Sequence, residues 1–124
     1  MSQLEIARRW ATRANLALQE AGHQVLATLD PEEANGNLNS GEPVILIEVE
    51  NATYETWTVT EYKLRFILIS PHRAALEAWE QLEAITADIR DPLELETAQL
   101  SMWQPDNGRP YPCNLLTTTT TEMD

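Results

Sequence analysis

Ile6, Ala7, Trp10, Ala14, Ala17, Leu18 and Ala21 recur at spacings of three and four residues, the period of one face of an α-helix. Ser2 precedes this stripe as an N-cap, Glu5 stands three residues on as its capping-box partner, and Gly22 suits a left-handed stop at the far end. Glu5 and Arg9 form an i, i+4 pair on the polar side. The pattern predicts a helix over 3–21. A second stripe of the same period runs through Ala75, Ala78, Trp79, Leu82, Ile85 and Ile89, with Glu77, Glu80, Gln81, Ala84 and Asp88 on the outside. Ser70 is its expected N-cap and Pro71 its first helical residue, and Asp91-Pro92 ends it.

Elsewhere the period is two. Residues 23–29 are short and apolar enough for a strand. Val44 to Val49 reads as a strand from its β-branched residues, and a polar bend through Glu50-Asn51-Ala52-Thr53 leads to a longer one over 56–69. There Tyr62, Leu64, Phe66 and Leu68 alternate with Glu61, Lys63 and Arg65, so one face is buried and the other wet. Ile67 and Ile69 break the alternation, which implies that the strand's end is covered on both sides. Thr97 to Trp103 has strand character, Pro105-Asp106-Asn107-Gly108-Arg109 has turn chemistry, and residues 111–121 close the chain as a threonine-rich strand. Pro110 and Pro112 place the beginning of that strand on a sheet edge. Asp30 to Pro43 is rich in turn formers and reads as a long surface loop. The expected fold is α+β: a mostly antiparallel sheet of four to five strands with two helices packed on one face, in a single domain over 1–124. Trp10, Trp57, Trp79 and Trp103 fall one to an element and read as anchors of a shared core.

Charge sharpens this picture. Twenty acidic residues against eight basic ones give a net charge of −12, which repels phosphate backbones and argues against conventional nucleic-acid binding. A hydrophobic share of 43% is enough to build a core, so the acid excess reads as a solvated surface rather than as disorder. Arg8, Arg9 and Arg13 gather on the first helix while the acids spread over the rest, an asymmetry suited to contacts between copies. The longest apolar runs, Val44–Ile47 and Phe66–Ile69, are far shorter than the roughly 20 residues that a membrane crossing takes. Met1-Ser2-Gln3-Leu4-Glu5 lacks the layout of a secretory leader, and the expected address is the cytoplasm or an assembly built there.

Candidate chemistry is sparse. His23 and His72 have no second ligand at metal-like spacing, and Cys113 has no neighbouring histidine to activate it. The glycines at 22, 36, 41 and 108 are scattered and build no phosphate loop. Asn51-Ala52-Thr53 matches a glycosylation pattern that carries no weight without a secretory leader. No nucleophile, base and oxyanion donors assemble, and the expectation is a protein that is no enzyme and takes no cofactor or metal.

The order of elements, taken whole, resembles one family. A capped helix is followed by an acidic turn-rich segment and the strand Glu42-Pro43-Val44-Ile45-Leu46-Ile47. A long strand ends in Phe66-Ile67-Leu68-Ile69, a helix carries Leu76-Glu77-Ala78-Trp79, and a threonine-rich strand finishes in Thr121-Glu122-Met123. This layout is similar to the tail terminator proteins of long non-contractile-tailed bacteriophages. The resemblance implies a homo-hexameric ring that caps the tail tube, stops its elongation and offers the head-joining surface. It implies the major tail tube protein and head-tail connector proteins as partners, and a place in the virion at the head-tail junction. It carries over no catalytic residue. The expected subunit and tube contacts are Arg8, Arg9 and Arg13 on the first helix, Glu32, Glu33 and Asn37 in the 30–43 segment, and Asn51 and Glu55 at the bend. Six copies at −12 each would carry about −72, and an acidic lumen would let DNA pass without sticking. A neck connector, or an acidic DNA mimic that inhibits a nucleic-acid-binding protein, are the competing readings.

Overall fold

The Ser2 hydroxyl accepts the backbone N–H of Glu5 at 3.1 Å and donates to the Glu5 carboxylate at 3.2 Å. From that cap runs α1 (Gln3–Glu20), burying Ile6, Ala7, Trp10, Ala14, Ala17 and Leu18. It ends in a Schellman turn: Gly22 at φ +78° donates to Gln19 and His23 donates to Leu18. The computed structural model describes residues 2–105 and 108–123. Within them follow β1 (Leu26–Thr28), α2 (Pro31–Asn39), β2 (Val44–Tyr54), β3 (Val59–Ile69), α3 (Ala75–Ile89), β4 (Thr97–Trp103) and β5 (Tyr111–Met123). The fold is α+β, a five-stranded mixed sheet in the order β1-β2-β3-β5-β4 with three helices.

The 30–43 segment is the main departure from expectation, because it holds a helix where its turn formers predict a loop. Asp30 accepts from the Glu32 N–H at 2.9 Å, Pro31 occupies the first turn, and Ala34 and Leu38 are the two buried positions one turn apart. Gly41 at φ +82° then closes a second Schellman turn, donating to Leu38 while Glu42 donates to Asn37. This helix also explains the parallel pairing of β1 with β2, since a parallel neighbour needs a crossover of about a dozen residues. The other three pairings are antiparallel.

The sheet is covered on both sides. On one, α1 and α3 bury Ile45, Ile47, Tyr62, Leu64, Phe66, Leu68 and Leu116, with the Trp10 and Phe66 ring centroids 6.0 Å apart. On the other, α2 and the Tyr111 end of β5 cover Val44, Leu46, Ile67 and Ile69, which accounts for the lapse in alternation at the end of β3. The two helices expected from the sequence, α1 and α3, share one face, and the additional helix α2 lies on the other.

Four smaller expectations are corrected. The polar bend at 50–53 is strand, with a bulge between Val49 and Asn51, and the reversal lies over 55–58 instead. Ser70 does not cap α3. It is fully buried at the end of β3, donating to Gln81 at 2.7 Å, and α3 starts at Ala75 behind Ala74 with no side-chain cap. The last strand is interior, between β3 and β4. Pro112 is tolerated there because it lies one residue beyond the Ile69–Cys113 pair that ends the β3 ladder. Trp57 is no core anchor but is 94% exposed, whereas Trp10 is buried and Trp79 and Trp103 pack against the two cores half-buried. The turn expected over 105–109 includes Asp106 and Asn107, which lie outside the described residues.

Candidate functional site

Titratable groups suited to catalysis are dispersed. The His23 ring nitrogen Nε2 lies 2.6 Å from Asp88, and His72 lies 3.8 Å from Glu77, on opposite ends of α3. Cys113 is buried, and burial pushes its thiol up to about 11, so the nucleophilic thiolate is absent at neutral pH. Among the described residues no group of three or more His, Cys, Asp or Glu could hold a metal ion. No helix among them is long and apolar enough to cross a membrane.

The surface is organised more clearly than the chemistry. Arg8, Arg9 and Arg13 are all exposed on α1, but two of them are engaged within the chain. Arg9 reaches Glu122 at the end of β5 at 2.6 Å. Arg13 lies over the Trp10 ring at 4.4 Å, donates to the Pro92 carbonyl at 2.9 Å and reaches Glu94 at 3.4 Å. The Arg8 guanidinium has no ion pair or hydrogen bond among the described residues. Glu32 and Glu33 are exposed in the first turn of α2, where carboxylates favour the helix dipole, and half-buried Asn37 accepts at its C-terminal turn. These two groups lie on opposite sides of the sheet. Asn51 stands exposed beside the bulge opposite Lys63, and Glu55 opens the β2–β3 turn by donating its N–H to the Val59 carbonyl. The eight residues thus form three separate patches.

Two surface features are not evident from the sequence. The first is a groove of about 620 Å³ on the α2 side of the sheet. Its walls are Pro31, Glu32 and Asn35 on one hand and Trp103 to Pro105 on the other, over a floor of Leu46, Glu48, Arg65 and Ile67. It exists because nine-residue α2 is too short to cover an eleven-residue strand pair, so Glu48–Arg65 at 2.6 Å and Glu50–Lys63 at 3.8 Å stay wet. The second is the tip of the β2–β3 hairpin, where Tyr54 is 74% exposed, Trp57 94% and the nearby Met123 80%. Thr56 holds the turn by accepting from the N–H groups of Thr58 and Val59. The Thr-Trp-Thr run was the available signal, since hydroxyls that bond the local backbone mark turns as well as strands.

No family model matches the chain, and no curated protein matches it.

Proposed function

We propose that this protein is a phage tail terminator, a structural ring subunit that caps the tail tube, stops its elongation and provides the head-joining surface. The observation that carries the reading is the placement of the cations of α1 and the acids of α2 on opposite sides of one sheet. A head-to-tail contact joins two different patches of the same chain, and opposite charges on opposite sides are what such a contact uses. Arg8, without an ion pair among the described residues, can meet a neighbour's acid, and Arg9 and Arg13, with side chains 48% and 42% exposed, are accessible for sharing.

On this reading the net charge of −12 per copy keeps DNA from adhering to the lumen, and the tube end meets the exposed hairpin tips. The protein has no catalytic part in assembly and takes no cofactor. The DNA-mimic alternative is weakened by the sheet face, where Arg65 and Lys63 break the run of acids.

Negative-stain imaging at high concentration, alone and with tail-tube protein, tests the proposal. Six-membered rings, free or on tube ends, and shorter tubes in their presence are expected. Monomers alone under both conditions would overturn it, and rings that bind only the head-proximal connector would favour the neck reading.

A further inference from the structure

The two edges of the sheet are finished differently. At β1 the Asn15 side chain of α1 stands in for a further strand. Its Oδ1 accepts the Ala27 N–H at 2.8 Å and its Nδ2 donates to the Ala27 carbonyl at 3.0 Å. β4 has β5 on one side and no strand on the other. Pro112 decides which backbone groups of β4 face outward. It has no N–H, and its carbonyl accepts the Ser70 N–H at 3.0 Å, so its backbone turns to the β3 side. Alternation then turns Cys113, Leu115 and Thr117 to β4, opposite Ser101, Gln99 and Thr97. Ala98, Leu100 and Met102 are left with their N–H and C=O groups directed at the open edge.

Such an edge is a template for another strand, and proteins blunt it with charge, proline or a bulge. Thr97–Trp103 carries none of these, in a chain with twenty acidic residues. Its outward residues match themselves. On a two-fold axis through Leu100, Leu100 meets its own copy and Ala98 meets Met102, a small side chain beside a large one. Glu96, just before the strand, meets uncharged Gln104, so no acid faces an acid. The helix above obeys the same axis. α3 lies over β5, where Thr86 accepts from Asn114, the residue opposite Leu100. An exchange centred on Thr86 and Ala87 brings Glu83 to Arg90. Both are exposed on the side of α3 that faces β4, without a side-chain partner among the described residues. The two α3 helices would stand three strand spacings apart, about 14 Å, which two cylinders of roughly 10 Å fill side by side.

We propose that β4 pairs with β4 of a second copy, antiparallel about Leu100, joining two sheets into one and setting Glu83 of each α3 against Arg90 of the other. The contact is isologous. It goes beyond the ring reading and does not rest on it, because it uses the edge of the sheet while the charged patches of that reading lie on its two sides.

Charge reversal tests both the contact and its register. Glu83→Arg and Arg90→Glu each place two like-charged pairs across the axis, and each should weaken dimerisation about tenfold in analytical ultracentrifugation. Mixed in equal amounts, the two variants place opposite charges in both pairs, so a heterodimer as tight as the wild-type dimer is expected. Leu100→Pro removes an outward N–H that the β5 ladder does not use, and should abolish the dimer with the circular dichroism spectrum unchanged. Should that variant not fold, the charge exchange decides alone. A mixture no tighter than its components would overturn the pairing, as would wild-type protein that stays monomeric at high concentration. Rings that survive all three substitutions undiminished would overturn this contact and leave the ring reading standing. Dimers that obey the charge exchange but never form rings would uphold it and overturn the ring reading.

Discussion

Arg65 donates twice to the same oxygen of Glu48, from Nε at 3.0 Å and from Nη2 at 2.6 Å, across the ladder joining β2 to β3. The geometry is that of a strong pair, but the side chains are 37% and 41% exposed, so water screens it. Glu48→Gln is expected to cost less than about 1 kcal/mol in urea denaturation, and the difference from wild type should shrink at about 1 M salt. A loss above about 2 kcal/mol would mean that the groove is drier than its exposure indicates.

Gly36 within α2 and Gly41 just beyond it make opposite predictions. Gly36 is in the helix and a Cβ there meets nothing within 4 Å, so Gly36→Ala should stabilise by about 0.5–1 kcal/mol. Gly41 is equally open but sits at φ +82°, so Gly41→Ala should destabilise by about 1 kcal/mol from backbone strain alone. Thermal denaturation of the two variants checks both signs. A neutral Gly36→Ala would argue that residues 31–39 are not helical in solution.

Tryptophans 10 and 57 should separate cleanly. Trp10 is 4% exposed against Phe66, and Trp10→Ala is expected to cost about 3–5 kcal/mol. Trp57→Ala should stay within about 0.5 kcal/mol when measured below the concentration at which copies associate. Chemical denaturation followed by circular dichroism distinguishes them.

Cys113 should make the protein alkali-sensitive. Its thiol is raised from 9.0 to about 11 by burial, with the nearby Arg65 charge acting weakly in the other direction. The folded state therefore holds a proton that the unfolded chain releases, so stability is fully present below about pH 9 and falls as pH rises toward 11. Cys113→Ala should lose some stability at neutral pH and flatten that decline. Identical pH slopes for the two proteins would remove Cys113 as the cause.

Elements with a strong period were legible in the residues alone. The Ala-rich stripe with Ser2 and Gly22 at its ends led directly to α1, and the Tyr62–Leu68 alternation led to β3. Ser70-Pro71 is a good helix opening in isolation, yet α3 starts only at Ala75. In the folded chain Ser70 has better partners, Gln81 and the Pro112 carbonyl, and stays with the sheet. The helix α2 carried real signals in Asp30-Pro31 and Gly41, but with only Ala34 and Leu38 apolar its period is too short to outweigh the turn formers around it.

The candidate contact residues were legible as types and illegible as a surface. Local sequence shows that Arg8, Arg9 and Arg13 share a helix, but not that Arg9 meets Glu122 or Arg13 meets Glu94, partners 113 and 81 residues away. The spacing of the four tryptophans, one to an element, predicts a core position for Trp57. Its exposure follows from its place in the reversal over 55–58, beyond the last paired residues of β2 and β3.

Side-chain period and capping act over a few residues, so the chain by itself determined its long helix, its amphipathic strands and its acidic surface. Which face α2 covers, that β5 inserts between β3 and β4, and that Asn114 is left with an unmatched carbonyl were decided only by tertiary structure. Those outcomes depend on which distant surfaces exclude water together, a competition among whole faces that no local window contains.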